Sequence, residues 1–362
     1  MTRRIASALI IASHMIGCGR SVPTATEIGT ELKGFKLAGR MNFQRFWPAS
    51  VLLQDGRVLI TGGSRTDRPY HSSRAFRHAT AELFDPDTGT STVTGSMSVS
   101  RYRDRAMLLP DGRVIVKGTP FDPPEVYDPR SGSFVAMEDR PELTTDASIA
   151  ALPTGDLLTI DAKGNVSRFD PDSWEFQFLT RMDVPRSGHS ASLLQDGRLL
   201  IVGGANGAGA LKRTDVYDPS SNTLAQVGDL RHERWGHQAV LLEDGTVLIL
   251  GGMTGAASDP EDVSAAERYE PATGSFMPAG DPRIAPLHAV ALLPNGTVFL
   301  MGGINGSVVL YDSSTNDYRR NGDNVGYERV RYSVTVLRDG RVLVFGGMIN
   351  GVSTDQVLVY RP

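Results

Sequence analysis

Residues 186–204 read RSGHSASLLQDGRLLIVGG. An apolar pair, Leu193-Leu194, is followed one residue later by Asp196-Gly197, and a second apolar run, Leu199–Val202, ends in Gly203-Gly204. Asp-Gly between two apolar runs is the strongest short-range hairpin signal, because a type I′ turn needs the positive φ that these residues tolerate. The spacing predicts a strand, a tight type I′ turn and a second strand. The unit recurs at 52–63, 108–118, 241–252, 292–303 and 336–347, with a degenerate copy, ALPTGDLLTID, at 151–161, so the chain carries it seven times.

A second unit alternates with the first: FDP (84–86), YDP (127–129), FDP (169–171), YDP (217–219), YEP (269–271), YDS (311–313) and YRP (360–362). It reads as the aromatic end of a third strand followed by an Asp-Pro type of turn. A fourth strand is expected next, as in FVAM (134–137), WEFQFL (174–179) and FMPAG (276–280). Four antiparallel strands per repeat predict an all-β chain, a seven-bladed β-propeller. The last repeat stops at Tyr360-Arg361-Pro362 and lacks its outer strand, whereas GFKLAG (34–39) precedes the first repeat and resembles an outer strand. The N-terminal segment is therefore expected to close the last blade, which removes an open seam.

Composition agrees with this reading. The chain has 362 residues, 39 of them Gly and 21 Pro, a hydrophobic fraction of 40% and a formal net charge of −4. These values exclude a disordered or collagen-like chain, and the charge argues against nucleic acid as a partner. Five repeats carry a double glycine after the second strand. The pattern Arg-x-x-His, two apolar residues, Asp-Gly, apolar strand, Gly-Gly and then Tyr-Asp-Pro resembles the kelch repeat. The spelling at 186–204 is most similar to the kelch-type propeller of the galactose oxidase family, over about residues 34–362. Kelch propellers host enzymes and pure interaction modules alike, so the resemblance implies the fold and leaves the function open.

Ahead of the propeller, residues 1–17 read as a signal peptide. Arg3 and Arg4 precede an apolar stretch to Gly17 that is too short to span a bilayer. Met15-Ile16-Gly17-Cys18 resembles a bacterial lipobox, which implies lipidation at Cys18 and two or three acyl chains, enough for stable anchoring. Gly19 after the cysteine implies, by the same resemblance, an outer-membrane destination on the periplasmic or surface side. Residues 18–33 are small and polar and read as a flexible tether.

In a four-stranded meander the residues before each inner strand line the mouth of the central funnel. One internal column holds Arg45, Arg101, Thr144, Arg186, Arg234, Ala285 and Arg329. Three residues later come Pro48, Asp104, Ala147, His189, His237, His288 and Tyr332. Five arginines around one mouth would focus anions, and guanidinium geometry suits carboxylate or phosphate. Trp47, Arg103 and Trp235 stand beside the columns as singular residues, and aromatics there would stack on a sugar ring or peptide. The competing reading is scaffold, since a residue repeated around a ring also suits pairing within and between blades. Long loops at 64–81 and 253–267 offer further binding surface. His71 and His78 lie in the first of them, and two histidines alone do not make a metal site.

Cofactor chemistry finds no footing in the sequence. The galactose oxidase family uses copper and a tyrosine cross-linked to a cysteine, and Cys18 is the one cysteine here. No G-x-S-x-G elbow, H-E-x-x-H helix or P-loop is present. No catalytic residue, cofactor or metal is therefore assigned. The expected function is a membrane-anchored, non-catalytic module that binds an envelope or extracellular protein, peptide or glycan through the funnel face. The alternative is a periplasmic sugar-acid isomerase or other carbohydrate-active enzyme in which the histidines would act as bases.

Overall fold

The computed structural model describes residues 34–66, 76–118, 123–137, 147–171, 173–256, 259–303, 306–325 and 329–362. The expected signal peptide, tether and Cys18, and also Thr144 and His71, lie outside the described residues. The described residues contain strands and turns and no α-helix. The fold is a β-propeller.

Among the described residues, seven four-stranded antiparallel sheets follow one another along the chain. Sheet 1 runs Ala49–Leu52, Val58–Thr61, Ala81–Asp85 and Thr90–Val93. The inner strands of sheets 2 to 7 are Arg105–Leu108, Ser148–Ala151, Ser190–Leu193, Gln238–Leu241, Leu287–Leu292 and Ser333–Val336. Sheets 2 to 6 repeat the sequential order of sheet 1. In sheet 7 the outer strand comes from the other end of the chain: Phe35–Arg40 pairs antiparallel with Gln356–Tyr360. Phe35 is buried, with its ring 5.1 Å from Tyr360.

The second strand of each sheet is buried on both faces, which explains its unbroken apolar spelling (VLIT, VIVK, LLTI, LLIV, VLIL, TVFLMG, VLVF). Outer strands are mostly exposed, as in Thr90–Val93 and Ser133–Ala136, where only the second residue is partly buried. The third-strand aromatics Phe84, Tyr127, Phe169, Tyr217, Tyr269, Tyr311 and Tyr360 are all buried. Each is worth about 1.5–3 kcal/mol of apolar burial. Apolar clusters sit between successive sheets. Phe84 packs with Phe345 between sheets 7 and 1, Leu83 with Val114 between sheets 1 and 2, and Phe299 with Val344 between sheets 6 and 7. The inner strands of sheets 7 and 1 adjoin in the same way as those of sheets 3, 4 and 5.

The Asp-Gly turns differ from the expected type I′ form. Gly56 N donates to Leu53 O at 3.2 Å and Leu53 N to Arg57 O at 2.8 Å, so three residues, not two, join the strands. Gly56 has φ 91° while Asp55 stays at negative φ. The loop is a type I turn followed by a left-handed glycine that forms a bulge. The reason lies in the residue after the glycine. Asp55 Oδ1 accepts from Arg57 N at 3.0 Å and Oδ2 from Arg57 Nε at 2.8 Å, and Asp196 with Arg198 does the same at 3.0 and 2.8 Å. The aspartate side chain caps the bulge, which a two-residue turn would not allow.

Candidate functional site

The short inner strands begin at one end of the channel, and their first residues line a cavity of about 570 Å³. Ser50, Asp104, Ser148, Ser190, Gln238 and Ser333 contribute to it from six sheets. Ser50 Oγ lies 2.7 Å from Thr335 Oγ1, and Ser148 Oγ donates to His189 O at 2.9 Å. These serines stand one or two places beyond the histidine column. The sequence reading passed over them because a hydroxyl on a strand carries no motif.

The five column arginines do not line this mouth, which corrects the expectation of a positive funnel. Arg45, Arg101, Arg186, Arg234 and Arg329 are at most 1% exposed. Four of them reach into the third strand of their own sheet to a buried carboxylate. Arg45 meets Glu82 at 3.0 Å, Arg101 meets Glu125 at 2.5 Å, Arg186 meets Asp215 at 2.7 Å and Arg234 meets Glu267 at 2.9 Å. Three of the four also donate to the first glycine of the double glycine: Arg45 to Gly62 O at 2.5 Å, Arg186 to Gly203 O at 2.7 Å and Arg234 to Gly251 O at 3.0 Å. Arg329 donates to Gly346 O at 2.8 Å and Gln356 O at 2.9 Å. Burial pushes the guanidinium pKa down in Arg45, Arg186 and Arg234, and the paired carboxylate pushes back. These groups tie the entry loop, the double glycine and the third strand together. Their carboxylate partners were not read from the sequence.

His189 and His237 do line the cavity, as expected, with their rings mostly buried. His189 Nδ1 lies 3.1 Å from Arg186 O, and His237 Nε2 lies 2.8 Å from Ser190 Oγ. Burial, reinforced by Arg186, pushes His189 down to about 4, and burial with Arg234 pushes His237 down to about 3. Both are neutral imidazoles near pH 7 and poor acceptors of a proton. His288 packs edge-on against Tyr332 at 5.9 Å, and Tyr332 is buried in the cluster between sheets 6 and 7. Asp104 packs against Gly62 and Gly118 in the seam between sheets 1 and 2. In the first long loop His78 Nε2 sits 3.2 Å from Gln44 O, and burial followed by the Arg45 charge lowers it to about 4.

Trp47, Arg103 and Trp235 do reach the loop face. Trp47 and Trp235 are half-buried and Arg103 is exposed. Arg103 lies 4.8 Å from the Trp47 ring centroid, and Arg331, absent from the sequence reading, lies 4.3 Å from it. Tyr102 lies 5.9 Å from Trp47 and carries Arg77 at 4.3 Å. The long loops begin and end as small hairpins, Ser64–Arg65 with Phe76–Arg77 and Met253–Ala256 with Asp259–Asp262.

No family model matches the chain. Kelch-like protein 24 of Rattus norvegicus is 27% identical over 313 residues, covering 84% of this chain and 49% of that protein. Galactose oxidase of Gibberella zeae is 29% identical over 157 residues, covering 40% of this chain and 22% of that protein. The chain thus spans about half or less of the length of the curated relatives it matches. Among solved structures, a fungal alcohol oxidase of the AA5 family in complex with copper superposes with a TM-score of 0.60 at 15% identity, covering 89% of this chain and 87% of the other. That likeness concerns the fold. A copper centre does not fit the described residues, where no three His, Cys, Asp or Glu side chains come together to hold a metal. The repeats, the fold and these relatives together support a kelch-repeat, galactose-oxidase-like propeller.

Proposed function

We propose that the chain is a closed seven-bladed propeller of four-stranded blades that works as a non-catalytic binding module, presenting the loop face around its channel mouth to a polypeptide. The observation that carries the reading is the mouth itself. It is a cavity of about 570 Å³ lined from six sheets by short polar side chains together with Arg105, His189 and His237. Trp47, Arg103 and Trp235 each adjoin in sequence a residue of its lining, Pro48, Asp104 and Gly236. The carbohydrate-enzyme reading needed exposed arginines and basic histidines. The five column arginines are buried, which leaves Arg105 as the arginine of the cavity lining, and the two cavity histidines are held at about 4 and about 3. The kelch-like relative is consistent with a protein partner. Export and lipidation at Cys18 belong to the same proposal and place the face in the bacterial envelope, where a protein, peptide or glycan is accessible.

A photo-crosslinking amino acid placed at Trp235 on the mouth, or at Arg113 in the turn at the opposite end, tests this in the full chain in its own cells. Polypeptide adducts from position 235 and none from 113 are expected. Adducts from 113 alone, or none from either, would contradict it. Metabolic palmitate labelling that disappears in Cys18→Ala tests the anchor, and an unchanged label would refute it.

A further inference from the structure

The entry loops share a left-handed residue two places after the arginine column. In sheets 4 and 5 it is Gly188 and Gly236, each at φ 65°. In the three consecutive sheets 7, 1 and 2 it is Arg331 at φ 61°, Trp47 at φ 51° and Arg103 at φ 60°. The loops keep the same backbone. Trp47 N donates to Arg331 O at 2.6 Å and Arg103 N to Trp47 O at 3.2 Å, just as Gly236 N donates to Gly188 O at 2.8 Å. Glycine thus fits the position without strain, and three large side chains occupy it against their conformational preference. Trp174 and Arg283 are left-handed as well, but here three such side chains stand in consecutive sheets and converge. Arg331 and Arg103 both lie on the Trp47 ring, and Arg77 lies on the neighbouring Tyr102.

Arg331 Nη1 donates to Met348 Sδ at 3.3 Å, so Arg331 helps hold the Trp47 ring, whereas Arg103 and Arg77 carry the planar fork of N–H donors that suits a carboxylate. Arg103 and Arg77 are exposed and make no ion pair among the described residues. Exposed Arg65 lies on the same hairpin as Arg77. The sector is cationic on a chain of net charge −4, so the charge is gathered here and not spread evenly. Both rings already carry guanidinium groups, which compete with a pyranose for the ring faces, whereas carboxylates on a flexible chain can meet Arg103 and Arg77 in succession.

We propose that the sector built by Arg331, Trp47 and Arg103, with Arg77, docks an acidic segment of a polypeptide through its side-chain carboxylates. The proposal rests on the reading of the chain as a polypeptide-binding propeller and names what that face recognises. Titration calorimetry of the full chain with hexaglutamate tests it, with hexalysine and a hexaguluronate as comparison ligands. Hexaglutamate should bind, more weakly as salt rises, and about tenfold more weakly to Arg103→Gly and to Arg331→Gly. Both variants suit the left-handed backbone and should melt no lower than the parent. Absence of hexaglutamate binding, equal binding by the variants, or tighter binding of hexaguluronate or hexalysine would overturn the proposal. Polypeptide adducts at position 235 with no hexaglutamate binding would overturn this proposal alone and leave the binding-module reading standing.

Discussion

A buried guanidinium facing a buried carboxylate contributes little net stability as a pair, but removing one partner strands the other charge. Arg45 with Glu82 is such a pair, both side chains being inaccessible. Replacing Arg45 by Met should cost about 3–5 kcal/mol in urea unfolding. A cost below about 1 kcal/mol would show that Glu82 does not depend on it. The arginine column is legible in the sequence, but its purpose is not, because Arg-x-x-His spells an exposed anion site and a buried tie equally well. The distinguishing signal was present within the chain. An acid stands two residues before the third-strand aromatic wherever Arg45, Arg101, Arg186 and Arg234 occur, at Glu82, Glu125, Asp215 and Glu267. Where Thr144 and Ala285 replace the arginine, the corresponding residues are Ser167 and Val309. Arginine and acid are kept or lost together, as members of a buried pair should be. Sheet 7 departs from this by giving Arg329 the carbonyls of Gly346 and Gln356.

Strands and their order were readable because each second strand is largely buried and six of the seven hairpins carry an Asp-Gly or Asn-Gly signal, Thr154-Gly155 standing in the seventh. The hairpin type was not, because Asp-Gly serves two loop lengths and the capping of Arg57 N by Asp55 decides between them. The outer strand Phe35–Arg40 was found by its likeness to other outer strands, and its fit depends on one residue. Gly39 lies so close to Gly89 of sheet 1 that a β-carbon would overlap the Gly89 carbonyl oxygen. The strand therefore completes sheet 7 and seals the seam with sheet 1, while Arg40 pairs with Asp355 at 2.7 Å. Removing residues 34–40 should lower the melting temperature by roughly 5–10 °C, as followed by circular dichroism. An unchanged melting temperature would mean that the seam holds without the strand.

Across the whole molecule the chain repeats one plan, with local departures in sheets 3 and 6 and a larger one in the sector of sheets 7, 1 and 2. Repetition supplies the scaffold: inward arginines, buried second strands and an apolar cluster between successive sheets. The larger departure supplies the face, and only part of it could be read. Trp47 and Arg103 stood out as singular residues, whereas Arg331 is hidden among many surface arginines. Only the positive φ at all three shows that they replace glycine at equivalent places. Each left-handed non-glycine residue costs about 1 kcal/mol of stability, which the proposed docking of an acidic segment would explain. The triple variant Trp47→Gly, Arg103→Gly and Arg331→Gly restores the plan of sheets 4 and 5. Its melting temperature and its affinity for hexaglutamate, measured beside the parent, test the central claim most directly. The account predicts a melting temperature equal to or above the parent's together with loss of binding. A markedly lower melting temperature with binding retained would show that these side chains are scaffold after all.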